Sequence, residues 1–151
     1  MIQRIQTVYL LLALVLTVVC LCMPVGVFHT PEMGGDVEMY NLWTLSPDKG
    51  IEYRVWPLFA ALIISCTNCV LAIFSFKNRK LQLNICKLNQ LLIVIWVALL
   101  LFFVKTGDAA NMAFTPSYYV FLLIVVLFLY QCAVRGIKKD DKLIKDMDRL
   151  R

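Results

Sequence analysis

Charged residues divide this sequence into blocks, and the long uncharged blocks limit its fold more than any other feature. Ile5–Phe28, Val55–Phe76, Leu88–Val104 and Ala109–Val134 contain no Asp, Glu, Lys or Arg. About 20 apolar residues in a helix cross the hydrocarbon core of a bilayer. Backbone polar groups cannot stay unpaired there, so each block is expected to form a helix, the last from about Tyr118 onward. The predicted fold class is an all-α membrane protein with four transmembrane helices in a bundle. Residues 1–151 form one domain, with spans at about 5–26, 56–76, 88–104 and 118–134. Pro24 and Gly26 end the first helix at about Met23. Hydrophobic residues make up 61% of the chain and the mean hydropathy is +0.77. Soluble domains have about 45–50%; the long spans explain the excess.

The first block resembles a secretion signal only loosely. Its apolar core is too long and no small-x-small cleavage site follows, so the helix is expected to be retained. Orientation follows from counting Lys and Arg. The N-terminal cap, the 77–87 loop and the tail 135–151 carry twelve of the fifteen. These segments are predicted to be cytoplasmic, with both termini inside. Arg4, Lys77, Arg79, Lys80, Lys87, Arg135, Lys138 and Lys139 are the bases expected to meet anionic inner-leaflet lipid. The net charge of +5 is spread over these loops and gives no nucleic-acid patch.

The longest loop, 29–54, is predicted to lie outside. Met39–Leu45 and Ile51–Val55 alternate in polarity around Ser46-Pro47-Asp48-Lys49-Gly50. That pattern predicts a small β-hairpin resting on the helix ends or the headgroup region. The tail RGIKKDDKLIKDMDRLR reads as an amphipathic helix that continues the fourth span or bends after Gly136.

Three segments, MIQRIQTVYLLLA, KNRKLQ and the tail, together with the order of the four spans, resemble the domain-of-unknown-function family numbered 4293. The resemblance implies a small bacterial inner-membrane protein with four helices. It implies no assigned activity and carries over no catalytic residue.

The second span is the organising one. Ala61, Ser65, Asn68, Ala72 and Ser75 recur at helical spacing and predict a packing seam that lets neighbouring helices approach closely. Asn68 is expected to hydrogen-bond across helices, with Ser65 or Thr17 as partners. Cys66 and Cys69 form a C-x-x-C pair, the one redox candidate. With Cys20 and Cys22 they make the chain similar, in helix count and paired cysteines, to quinone-linked disulfide-forming enzymes. Against this, Cys66 sits roughly 15 Å below the surface at 1.5 Å per residue, out of reach of a soluble partner. Buried cysteine acts as a small hydrophobe. His29, with Glu32 and Asp36 nearby, is too sparse for a metal site, and no metal or cofactor is expected. No charged residue lies inside a span, which argues against an ion-coupled transporter. No phosphate-binding loop or nucleophile elbow is present.

Three functions remain: a non-enzymatic accessory or structural subunit of a bacterial inner membrane; a thiol–disulfide oxidoreductase using Cys66 and Cys69; and a bundle holding a lipid or small molecule in a mid-membrane cavity beside Asn68 and Trp96. The expected partners are the bilayer and either another membrane protein or a second copy of the chain.

Overall fold

The computed structural model describes residues 2–29, 35–46, 50–75, 78–106 and 113–149, with side chains from residue 5 to residue 143. Four helices dominate: α1 (Ile2–Cys22), α2 (Trp56–Phe74), α3 (Arg79–Thr106) and α4 (Tyr118–Arg149). All four are long and apolar enough to cross a membrane. The strongest packing runs α1 with α4, α2 with α3, α1 with α2 and α3 with α4, so the helices close a ring in chain order.

Each helix turns one narrow stripe inward. On α1 it is Gln6, Leu10, Ala13, Thr17 and Cys20; on α3 it is Gln82, Cys86, Asn89, Ile93, Trp96 and Leu100. On α2 it is Leu58, Ala61, Leu62, Ser65, Cys69 and Ala72. On α4, Leu123, Val126, Tyr130, Ala133, Ile137 and Asp140 follow the same rhythm. Steps that alternate between three and four residues repeat every 3.5 on average, the period of left-handed bundles with small crossing angles.

The polarity of the bundle is inverted relative to a water-soluble one. Only 28–33% of the residues in the four apolar segments are buried. The outward residues are large and apolar, among them Leu11, Val15, Ile64, Leu71, Val94, Phe102, Ile124 and Phe128. The buried stripes hold the polar groups: Gln6, Thr17, Ser65, Gln82, Asn89 and Asp140.

The expectation of a single hairpin is too small. A hairpin is present, but shorter than Met39–Leu45 with Ile51–Val55: it pairs β3 (Thr44–Ser46) with β4 (Gly50–Glu52), Leu45 opposite Ile51, while Met39 belongs to a separate strand. Gly50 takes a φ of 75°, which only glycine adopts without strain. The hairpin belongs to a five-stranded antiparallel sheet with β1 (Gly26–His29), β2 (Val37–Met39) and β5 (Ala113–Pro116), in the order β4-β3-β2-β1-β5. The uncharged block Ile5–Phe28 is thus only partly helix, and the span drawn to residue 26 ends at Cys22 instead. Pro24 has no N–H to continue α1. Val25 then bonds in both directions, donating to Met39 O at 2.7 Å and accepting from Ser117 N at 2.8 Å.

The 77–87 segment also departs from the sequence reading. It is not a loop: α3 starts at Arg79, well before the expected residue 88. Nothing in Lys80–Lys87 breaks a helix, and Gln82 anchors the first turns by donating to Ala72 O of α2 at 3.1 Å. Asn78 caps the start, its Oδ1 accepting from Leu81 N at 3.3 Å. The tail continues α4 to Arg149 with no break at Gly136. The first turns of α1 meet α4 at Asp140, while β1 pairs with β5 at the far end. Both chain ends therefore share one end of the bundle, here called the basic end, and the sheet covers the other.

Candidate functional site

Mid-bundle, the four stripes bring a small polar cluster together. Tyr130 is fully buried, and its hydroxyl accepts from Asn89 Nδ2 at 3.1 Å. The same hydroxyl neighbours Cys69 and Ser65 of α2. Ser65 Oγ and Asn89 Oδ1 are buried there without a hydrogen bond among the described residues. Thr17 is satisfied within its own helix, donating to Ala13 O at 2.7 Å, and does not reach α2.

The predicted seam residues fall into two groups. Ala61, Ser65 and Ala72 are buried, while Asn68 and Ser75 are half-buried. The centre of the buried stripe is Cys69, one residue on from Asn68. The carboxamide contacts that join elements come from Gln6, Gln82 and Asn89 on the helices and from the loop residue Asn41 instead. Sequence reading missed these because their segments were read as cap, loop or uniformly apolar span. The detectable signal was spacing: Gln82, Cys86, Asn89 and Ile93 share one helical face whatever their polarity.

The C-x-x-C thiols sit differently from each other. Cys69 is sealed, and its Sγ donates to Leu10 O of α1 at 3.2 Å. Cys66 is half-buried, and both are free thiols. Of the other pair, Cys20 is buried, donating to Tyr119 O at 3.0 Å, and Cys22 is exposed.

Trp96 and Asn68 do not share a described cavity. Trp96 Nε1 donates to Asn41 Oδ1 at 3.1 Å. A void of about 10 Å³ beside Trp96, lined by Cys20, Val25 and Leu123 among others, holds one water at most.

Asn41 is the hub of the sheet end. Its Nδ2 donates to Cys20 O at 2.8 Å and Leu21 O at 3.3 Å. It thereby pairs two carbonyls that the end of α1 leaves open, while its Oδ1 holds α3 through Trp96. Phe28 and Phe114 meet across β1 and β5 as tilted rings, with centroids 4.8 Å apart. On the outer surface His29 Nδ1 lies 3.1 Å from Asp36 Oδ1, and both side chains are about half exposed. Tyr40 donates to Glu38 Oε2 at 3.1 Å. That carboxylate pushes the Tyr40 hydroxyl above its ordinary range, because ionisation would lose this hydrogen bond and then place two anions side by side. Among the described residues, no three of His, Cys, Asp and Glu gather as a metal-binding group.

At the basic end Gln6 Nε2 donates to Asp140 Oδ2 at 2.8 Å, joining α1 to α4 in a buried contact. Arg79 is half-buried, and Lys80, Lys87, Arg135, Lys138 and Lys139 are exposed. Lys77 and the side chain of Arg4, two of the expected lipid-contacting bases, lie outside the described residues.

The geometry defines a four-helix bundle with an apolar perimeter, a polar interior and a sheet across one end. The family model described as a domain of unknown function, DUF4293, matches residues 2–150, and the chain belongs to that family. No curated protein matches the chain.

Proposed function

We propose that this protein is a multi-pass component of a bacterial cytoplasmic membrane, with both termini in the cytoplasm, acting as a non-enzymatic accessory or structural subunit. The observation that carries the reading is the inverted bundle. Outward Leu, Ile, Val and Phe suit a hydrocarbon solvent, and the buried amides of Gln6, Gln82 and Asn89 bond across helices, as polar groups do within membrane bundles. The charge distribution supports the orientation: the sheet end keeps few Lys and Arg and the opposite end keeps most. A non-enzymatic role is supported by how the interior polar groups are used. Cys69, Trp96, Gln82 and Gln6 are each committed to a backbone or side-chain partner. Contact with a membrane partner or a second copy would use the apolar perimeter or the sheet.

The oxidoreductase reading requires Cys66 and Cys69 to cycle through a disulfide. The seal over Cys69 disfavours it. Acid-quenched trapping of thiols in intact cells, with a mass-tagged maleimide, tests both readings. All six cysteines are expected to be reduced whatever the oxidant supply. Protection of two thiols that vanishes in both Cys66→Ser and Cys69→Ser would overturn the non-enzymatic reading.

A further inference from the structure

The start of α3 and the extension of α4 leave a groove of about 410 Å³ between them at the basic end. Four bases line it, Arg79, Lys80, Lys138 and Lys142, against one acid, Asp141. Its apolar residues are Leu83 and Ile137. Arg79 Nη1 is shielded from solvent yet makes no hydrogen bond among the described residues. A guanidinium N–H in that condition is costly unless something bonds it. The amino end of the long helix α3 adds positive potential at the same place.

We infer that this groove is a binding site for the phosphate of an anionic phospholipid headgroup. The inference rests on the membrane reading above and deepens it. Arg79, half-buried in the wall, supplies a forked donor suited to a phosphate's paired oxygens. Lys80, Lys138 and Lys142 act as mobile point charges around the rim. A lipid fits better than free phosphate because the surface continues apolar. A second, more open depression shares Lys80 and Asn84 with the groove and runs along Leu81, Ile85 and Leu88. Those three residues follow one helical face away from the charged rim toward the uncharged part of α3. A headgroup held by Arg79 could lay an acyl chain along them, whereas inorganic phosphate would gain nothing from that path.

The test is native mass spectrometry of the full chain in detergent micelles. The chain is titrated separately with dioleoyl phosphatidylglycerol, dioleoyl phosphatidylcholine and inorganic phosphate. Wild type is expected to retain phosphatidylglycerol at least about tenfold better than phosphatidylcholine. Arg79→Gln with Lys138→Gln should remove about tenfold or more of that retention. Lys87→Gln with Arg135→Gln removes the same charge from exposed positions outside the groove, and should change retention by less than about threefold. Equal losses in the two pairs would mean a diffuse basic surface and overturn the site. Inorganic phosphate binding as well as the lipid would overturn the lipid assignment. If the Arg79 pair fails to fold, wild type still decides. Phosphatidylglycerol should shield Lys80 and Lys138, but not Lys87, from a water-soluble amine-acylating reagent, and uniform labelling would sink the proposal. The membrane reading fails separately, by release of the chain from cell membranes in alkaline carbonate.

Discussion

At the sheet end of the bundle, the open carbonyls of α1 are bonded by a side chain from a distant loop, and the strands shut over the helices. At the basic end, α3 and α4 run on past their apolar stretches as charged helix, and one neutral amide, Gln6, meets one buried carboxylate, Asp140. The sheet end is tied by several directional bonds that converge on one loop residue and on paired strands. The basic end is made of helix that stands largely on its own backbone bonds, with charges that tolerate rearrangement. Fixed geometry concentrates stability in a few residues, whereas the continued helix spreads it over many.

The comparison can be broken most sharply at Asn41. Asn41→Leu would leave Cys20 O, Leu21 O and the Trp96 N–H without partners, and we expect a loss of about 3 kcal/mol. Unfolding in mixed micelles, followed by tryptophan fluorescence, would measure it. A loss below about 1 kcal/mol would show that this end is not held by its hub. Next is Gly26→Ala. The new methyl would stand 2.5 Å from the Phe114 ring and 2.7 Å from Thr115 O, a backbone atom that cannot swing aside. The cost should be about 2 kcal/mol, with loss of β1–β5 pairing visible as faster amide exchange there.

Gln6→Leu at the basic end should cost about 1–2 kcal/mol by leaving the Asp140 carboxyl unbonded, measured by the same unfolding assay. Smallest is Gly136→Ala. The three atoms nearest its methyl would be Gln6 Cγ at 3.1 Å, Nε2 at 3.5 Å and Cδ at 3.7 Å, all on one side chain. Alanine favours helix over glycine by about 1 kcal/mol, which offsets the displacement, so stability should stay within about 0.5 kcal/mol of wild type. The two glycine substitutions add the same atom at opposite ends; similar losses in both would refute the contrast.

The four helices were legible because an uncharged block of membrane length has few other folds open to it. The β3–β4 hairpin was legible because its signal is local: alternation on both sides of a turn. β1 was not. Gly26, Val27 and Phe28 are as apolar as the helix before them, and their partner β5 lies beyond α2 and α3. Pairing at that distance leaves no local pattern. The start of α3 was hidden for the opposite reason, since Lys80 and Lys87 suggested a loop although the spacing of Gln82, Cys86 and Asn89 was helical. Of the residues expected as a seam on α2, Ala61, Ser65 and Ala72 are buried, while Asn68 and Ser75 are half-buried. Small side chains pointed to the face, but a cysteine and not the asparagine sits at its centre.

The order of strands has a consequence for biosynthesis. β1 obtains β2 soon after it emerges, but its other edge must wait until α2, α3 and the strand after them have been made. Until then the nascent protein carries an open strand edge, of the kind that invites pairing with a stranger. The sheet can be completed only after the third helix is in place, just ahead of the fourth. A chain stalled before β5 would display that vacancy, and a finished one would not.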